Sequence, residues 1–414
     1  VTTSRQQPHA GHPRQNPAGS PAGSAGTTPD AAAAGADRPR GRRLTGIDIA
    51  RGLAILGMFV AHLGDDGPEG RHDPEWFVVA DGRSAALFAL LAGVSMALAN
   101  GRGTLPAGAV LARARLTTLV RAGILLLMGV FLVGLGTPVL VILPAYAAMF
   151  VLALPFLGLA RAWLLLGAAL VAVVSPTVIF LLTTERADGG PSPLASVTGE
   201  ADPVELPMDV FATGAYPALV FLAYILLGMA VGRSALSSLR VQLALLGAGV
   251  ALGVLGWGTS RLALDALGDG ASPLARRLVS AGAHEYSTLE VVGNCGSSLT
   301  VIAVCLLLTR PGNPVGRAFA AVLSPVAAAG AASLSVYSFH IVAIFLLGND
   351  IVWYPVSNAV LLWFIAVALA AAWLWRRFLG RGPLERLLRA ATAAVVGPAP
   401  PPAGQRTHRP SVGA

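Results

Sequence analysis

Lysine is missing from this sequence altogether: every one of its 29 basic residues is arginine. That is a bias of genome composition, not a functional signal. Charge of either sign is scarce. Only 12% of the 414 residues are charged, against about 25% in soluble domains, and this excludes an ordinary soluble enzyme. Cysteine is nearly absent too. Cys295 and Cys305 stand ten apart in one apolar run, too far along a helix to bridge, so no disulfide framework exists and packing is their expected role. No serine sits in a G-x-S-x-G context, which removes the usual setting of a serine nucleophile. Recognised metal-ligand spacing is also missing, so no metal is expected.

Apolar residues are abundant. The chain is 55% hydrophobic with a mean hydropathy of +0.68, and a span needs about 20 mostly apolar residues. Ten segments qualify, at roughly 44–63, 79–100, 117–136, 138–158, 162–183, 212–232, 240–260, 287–309, 326–347 and 355–376. They predict an all-α, polytopic membrane helix bundle of about ten transmembrane helices. The short "GLGTPVL" junction predicts a tight hairpin between the third and fourth. Residues 1–42 are rich in Ala, Gly, Pro and Arg and read as a disordered cytosolic tail without the apolar core of a signal peptide. Residues 43–392 read as the membrane domain, and 393–414 as a Pro-rich disordered tail.

A pI near 10.4 raises the question of nucleic acid, but the arginines are dispersed over short loops, so none is expected. With a cytosolic N-terminus, the inner connections hold Arg102, Arg113, Arg115, Arg161, Arg233, Arg240, Arg310 and Arg317. The outer ones hold only Arg71, Arg186, Arg261, Arg276 and Arg277. The asymmetry places both termini inside a plasma membrane. Most acids then fall outside, and so do His62, His72, His284 and His340.

The stretch "HLGDDGPEGRHDPEWFVVADGR" (62–83) concentrates this chemistry. It holds His62, His72 and six acids between two apolar runs. In "TGIDIARGLAILGMFVAHL", Asp48, Arg51 and His62 share one helical face, because a seven-residue step drifts only about 20°. Charges at such depth face the bundle interior. Asp48 and Arg51 either lock helices as a pair or serve a substrate. "ADGRSAALFALLAGVSMAL" repeats a polar-edged face with Asp81, Ser84 and Ser95; Gly93 and Ser95 permit close helix approach, and Arg83 is expected to reach the outer interface. Ser333, Tyr337 and His340 stack on the ninth segment, and Glu290, Asn294 and Ser297 on the eighth. His72 with Asp81 or Asp73 supplies the parts for acid–base chemistry; the plainer reading is a solvated acidic loop. We expect His62, His72, Asp81, Glu290 and His340 to line one outward cavity.

The D-x-x-R-G of the first helix, the His-x-x-x-Trp of the loop, the following Ala-Asp and "LFALLAGVSMAL" together resemble the heparan-α-glucosaminide N-acetyltransferase family and related bacterial membrane proteins of the transmembrane acyltransferase superfamily. "AYPALVFLAYILLGMAVGR" and "ASLSVYSFHIVAIF" look like further family blocks, and "WRRFLGRGPLERLLRAAT" is similar to its YeiB-like branch. The resemblance covers about residues 43–392. It implies transfer of an acetyl group from cytosolic acetyl-CoA to an acceptor across the membrane. The catalytic histidine of the family maps to His72 and its aspartate to Asp81. Its asparagine at the end of the first helix is replaced here by His62, the implied second acid–base group. Asp48, Arg51, Glu290, His340, Tyr337 and His284 are the remaining candidates for donor and substrate binding. No bound cofactor is implied: acetyl-CoA or another acyl-CoA enters as substrate. The expected partners are the lipid bilayer, the acyl-CoA and an extracytoplasmic glycan, lipid or small amine or hydroxyl acceptor, with a homodimer kept open.

The competing reading is a secondary transporter or proton-coupled carrier, since intramembrane Asp, Arg, Glu and His also mark ion paths. Carriers combine internal repeats with interrupted helices. The halves show no repeat and the helices read as continuous, so this ranks second.

Overall fold

A computed structural model describes residues 44–64, 80–101, 105–183, 210–211, 214, 216–268, 270–353 and 357–397. The expectations placed on residues 1–42, on His72 and on the tail beyond Gly397 lie outside the described residues. All regular structure among the described residues is helical. The helices are α1 (Thr45–Leu63), α2 (Arg83–Ala99), α3 (Gly108–Val133), α4 (Leu143–Ala153, extended by a 3-10 turn to Gly158), α5 (Arg161–Thr183) and α6 (Ala218–Gly232). Then follow α7 (Leu239–Gly253), α8 (Thr259–Leu267), α9 (Pro273–Val279), α10 (Thr288–Leu308), α11 (Pro314–Val322) and α12 (Ser324–Ala331). The last are α13 (Ser333–Leu347), α14 (Asp350–Trp353), α15 (Ala359–Phe378) and α16 (Pro383–Val396).

Each of the ten apolar segments is helical, and α3 and α4 pack as the expected hairpin. Their lengths differ from the expectation. Among the described residues six are long and apolar enough to cross a membrane, or seven if the bent pair α11–α12 is one span. α2, α4 with its extension, α6 and α13 are shorter apolar helices. At 1.5 Å per residue, a 15-residue helix reaches about 22 Å against a ~30 Å hydrocarbon core. Proline explains one start, since Pro217 immediately precedes α6. α16 runs to Val396, past the expected domain end at 392.

Continuity is the expectation that fails most clearly. α11 and α12 bend by 63°. α12 and α13 are separated at Ala332 (φ −114°, ψ 36°). A π-helical turn, Val254–Gly258, joins α7 to α8. A broken helix leaves backbone groups that hydrocarbon cannot satisfy, and here side chains take them. Arg51 donates to the Gly330 carbonyl at 3.2 Å and Arg376 to the Ala327 carbonyl at 3.0 Å. Glu385 of α16 accepts the Leu334 and Ser335 backbone N–H groups at 2.7 and 3.2 Å, and the Ser335 hydroxyl at 2.6 Å. The carboxylate caps α13 at the positive end of its dipole.

Helices in lipid gain little from hydrophobicity against one another and associate through close packing of small residues. α6 is buried on nearly every side, against α2, α4 and α5. Its Gly228 rests on the α2 backbone, where a Cβ would lie 1.9 Å from the Leu90 carbonyl oxygen. Gly93 answers from α2 in the same way, as its sequence position implied: a Cβ there would meet the Ile225 carbonyl at 2.1 Å. Gly330 of α12 sits equally close on α1, 1.8 Å from the Asp48 carbonyl by the same measure. That contact brings the helix break within reach of Arg51. Cys295 and Cys305 are buried free thiols, as expected.

Candidate functional site

Three polar groups emerge, each at a helix end or break. The first surrounds Arg51. Besides Gly330 its guanidinium donates to the Ser95 hydroxyl at 2.7 Å and to Asp48 at 3.4 Å, so one side chain ties α1, α2 and α12 together. Both residues were candidates for donor contact; their partners here favour the locking role. Removing the guanidinium takes away its bonds to Gly330, Ser95 and Asp48 together. Arg51→Met is therefore expected to cost about 3 kcal/mol, measured as a fall in thermal stability in detergent. A higher KM for the donor at unchanged stability would instead restore the binding role.

The second group pairs α1 with α13. His62 Nδ1 lies 3.0 Å from His340 Nε2, and the rings stack with centroids 5.2 Å apart. His340 Nδ1 is bonded to the Tyr337 carbonyl, so in the neutral pair Nδ1 of His340 donates and its Nε2 accepts from His62. Phe59 packs on His340, 4.6 Å between centroids. Tyr337, expected near substrate, accepts the Ile142 backbone N–H at 3.0 Å and thereby fastens α4 to α13.

The third group is centred on the loop before α10. His284 Nε2 lies 3.1 Å from Asp81 Oδ1, and its Nδ1 lies 2.8 Å from the Tyr286 hydroxyl. A carboxylate only accepts, so in the neutral ring Nε2 carries the proton and Nδ1 takes the phenol's. Glu290 grips the loop from below by accepting the backbone N–H groups of His284 and Tyr286, and Asn294 donates to it at 3.3 Å. His284 and Tyr286 have φ of 62° and 54°, the left-handed region that side chains rarely occupy. Burial, and after it the Glu290 charge, raises the Tyr286 phenol above its usual range. Burial and the Asp81 carboxylate do the same for Tyr216, whose ring meets His284 edge-on at 6.1 Å. Both phenols stay protonated. Arg83 stacks over the Trp257 ring at 4.4 Å, which the π-helical turn carries.

His340 and His284, both among the binding candidates, line different cavities. His340 borders an apolar one of about 440 Å³ between α13 and α15, walled by Phe339, Trp363, Phe364 and Trp375. His284 borders a polar one of about 490 Å³ with Leu264, Arg276, Arg277, Ser280 and Glu285. The split arises because His62 reaches across to α13, while Asp81 reaches to the loop before α10.

Comparison with protein families gives one match, to the family described as "Heparan-alpha-glucosaminide N-acetyltransferase, catalytic", over residues 43–259. This is just over half of the 414 residues. The chain belongs to this family. No curated protein matches it. Membership makes the chain a multi-pass membrane protein of acyltransferase type, consistent with its apolar helices.

Within the family match lie Asp48, Arg51, His62, His72 and Asp81; His284, Glu290, Tyr337 and His340 follow it. Sequence reasoning did not single out Tyr216, Trp257, Tyr286 or Glu385. One signal was available for the loop. "STLE" has the Ser-x-x-Glu form of a helix-start capping box, and Ser287 does accept the Glu290 N–H at 3.0 Å. The carboxylate of Glu290 then reaches beyond the cap to hold the loop.

Proposed function

We propose that the chain moves an acyl group, acetyl in the simplest case, from cytosolic acyl-CoA to a glycan, lipid or small amine or hydroxyl acceptor outside a bacterial plasma membrane. Family membership over residues 43–259 carries the reading. His72 is the base or acyl relay, Asp81 orients it, and His62 is the second acid–base group. The test is direct. Incubated with acetyl-CoA labelled in the acetyl group, the purified protein releases CoA and either retains label or passes it to glucosamine. If no CoA is released and no label leaves the donor, the reading fails.

The break at Ala332 is the observation that favours a carrier, because carriers place substrate sites at discontinuous helices. Here the two ends of the break are held by Arg51, Arg376 and Glu385, which supports a fixed structural joint.

We infer the orientation, with both termini cytosolic, from arginine placement. With both termini cytosolic, a cysteine at Glu200 reacts with an impermeant thiol reagent in intact cells and one at Ser237 does not. The native thiols are buried and give a low background. The reverse labelling pattern would overturn the orientation.

A further inference from the structure

We propose that Asp81, His284 and Tyr286 form a proton relay that takes the acceptor's proton during acyl transfer, two of its three members lying beyond the family match. The proposal rests on the acyltransfer reading above and deepens it. Three side chains are in series: the carboxylate holds Nε2–H, and Nδ1 receives the phenol O–H. A loop that only tied α2 to α10 would not need unfavourable backbone at two non-glycine residues. Glycine would serve a tie at both positions. Instead Glu290 clamps both N–H groups and holds the two side chains in register. The side chain of His284 is 33% exposed and that of Asp81 25%; His284 borders the polar cavity, and Tyr286 borders a smaller one that shares Arg277 and Glu285 with it, so the relay is reached by an acceptor through these adjoining cavities.

In the step, the acceptor's nitrogen or oxygen bonds to the acyl carbon. The bond from that carbon to its carrier, the thioester sulfur or a His72 ring nitrogen, breaks. The acceptor's proton passes to the Tyr286 oxygen while the phenolic proton moves to His284 Nδ1. Asp81 holds the resulting imidazolium, and the proton returns by the same path to the departing sulfur or nitrogen. His72 is thereby left as the acyl carrier instead of the base.

Two variants separate this from a structural role. At φ 62° glycine is the substitution the backbone favours, so His284→Gly keeps the loop and the thermal stability. Tyr286→Phe removes only the hydroxyl. The full chain in nanodiscs, given acetyl-CoA and glucosamine, is expected to lose about 10²-fold in kcat in each variant, with KM little changed. Added imidazole restores part of the rate to His284→Gly alone. In ¹⁵N-histidine spectra the signal lost on His284→Gly is that of an Nε2–H tautomer. Full transfer by His284→Gly, a loss that imidazole leaves untouched, or an Nδ1–H tautomer each overturns the relay. A wild-type chain that transfers nothing sinks the acyltransfer reading instead, and the tautomer then still decides whether the relay exists.

Discussion

Replacing His72 by alanine is expected to lower acyl transfer by about 10²-fold or more, the usual scale for a lost acid–base or covalent group. Membrane insertion and abundance stay near normal, because a substitution outside the apolar segments seldom destabilises much. The histidine lies nine residues before Asp81, at the position the family resemblance marks as catalytic. His9→Ala, in the N-terminal stretch, leaves transfer unchanged. If His72→Ala transfers at the wild-type rate while His62→Ala does not transfer at all, the catalytic role belongs to the His62–His340 pair. If both transfer normally, the acidic loop is a solvated surface and nothing more.

Gly228→Leu is expected to remove most of the folded protein. A Cβ at this site would sit 1.9 Å from a backbone carbonyl. Neither α2 nor α6 can yield there without moving as a whole, because α6 is buried against three neighbours. The cost exceeds the ~3 kcal/mol at the top of ordinary overpacking. Gly247→Leu on α7 is the matched control: a Cβ there meets nothing within 4 Å, and leucine is the better helix former. Yield of monodisperse protein and thermal stability read out both. A Gly228→Leu variant as stable as the Gly247→Leu control would mean that α2 and α6 do not pack through these glycines.

Much of the fold was legible because span length is a coarse signal that tolerates errors of several residues. The ten apolar segments and the α3–α4 hairpin follow from it, and the Gly93 contact follows from the small residue itself. The break at Ala332 was not legible. "AAAGAASLS" carries no proline, and its cause lies about fifty residues away at Glu385 and Arg376. The π-helical turn around Trp257 is equally silent, since a single added residue in a turn leaves hydropathy unchanged. The site was read in part. Intramembrane charge drew attention to Asp48, Arg51, His62, Glu290 and His340 on sound grounds. Which of them meet is a matter of three-dimensional neighbours. Asp81 and His284 are 203 residues apart, and no local pattern announces left-handed backbone at a histidine and a tyrosine.

The most direct measurement places the two substrates on opposite sides of a bilayer. The full chain is reconstituted into sealed vesicles in one orientation, with acetyl-labelled acetyl-CoA on the side of the termini and glucosamine on the other. The account predicts label on the acceptor across the membrane and a matching amount of free CoA left with the donor. Labelled glucosamine only on the donor's side, or passage of an unmodified solute without CoA release, would contradict it.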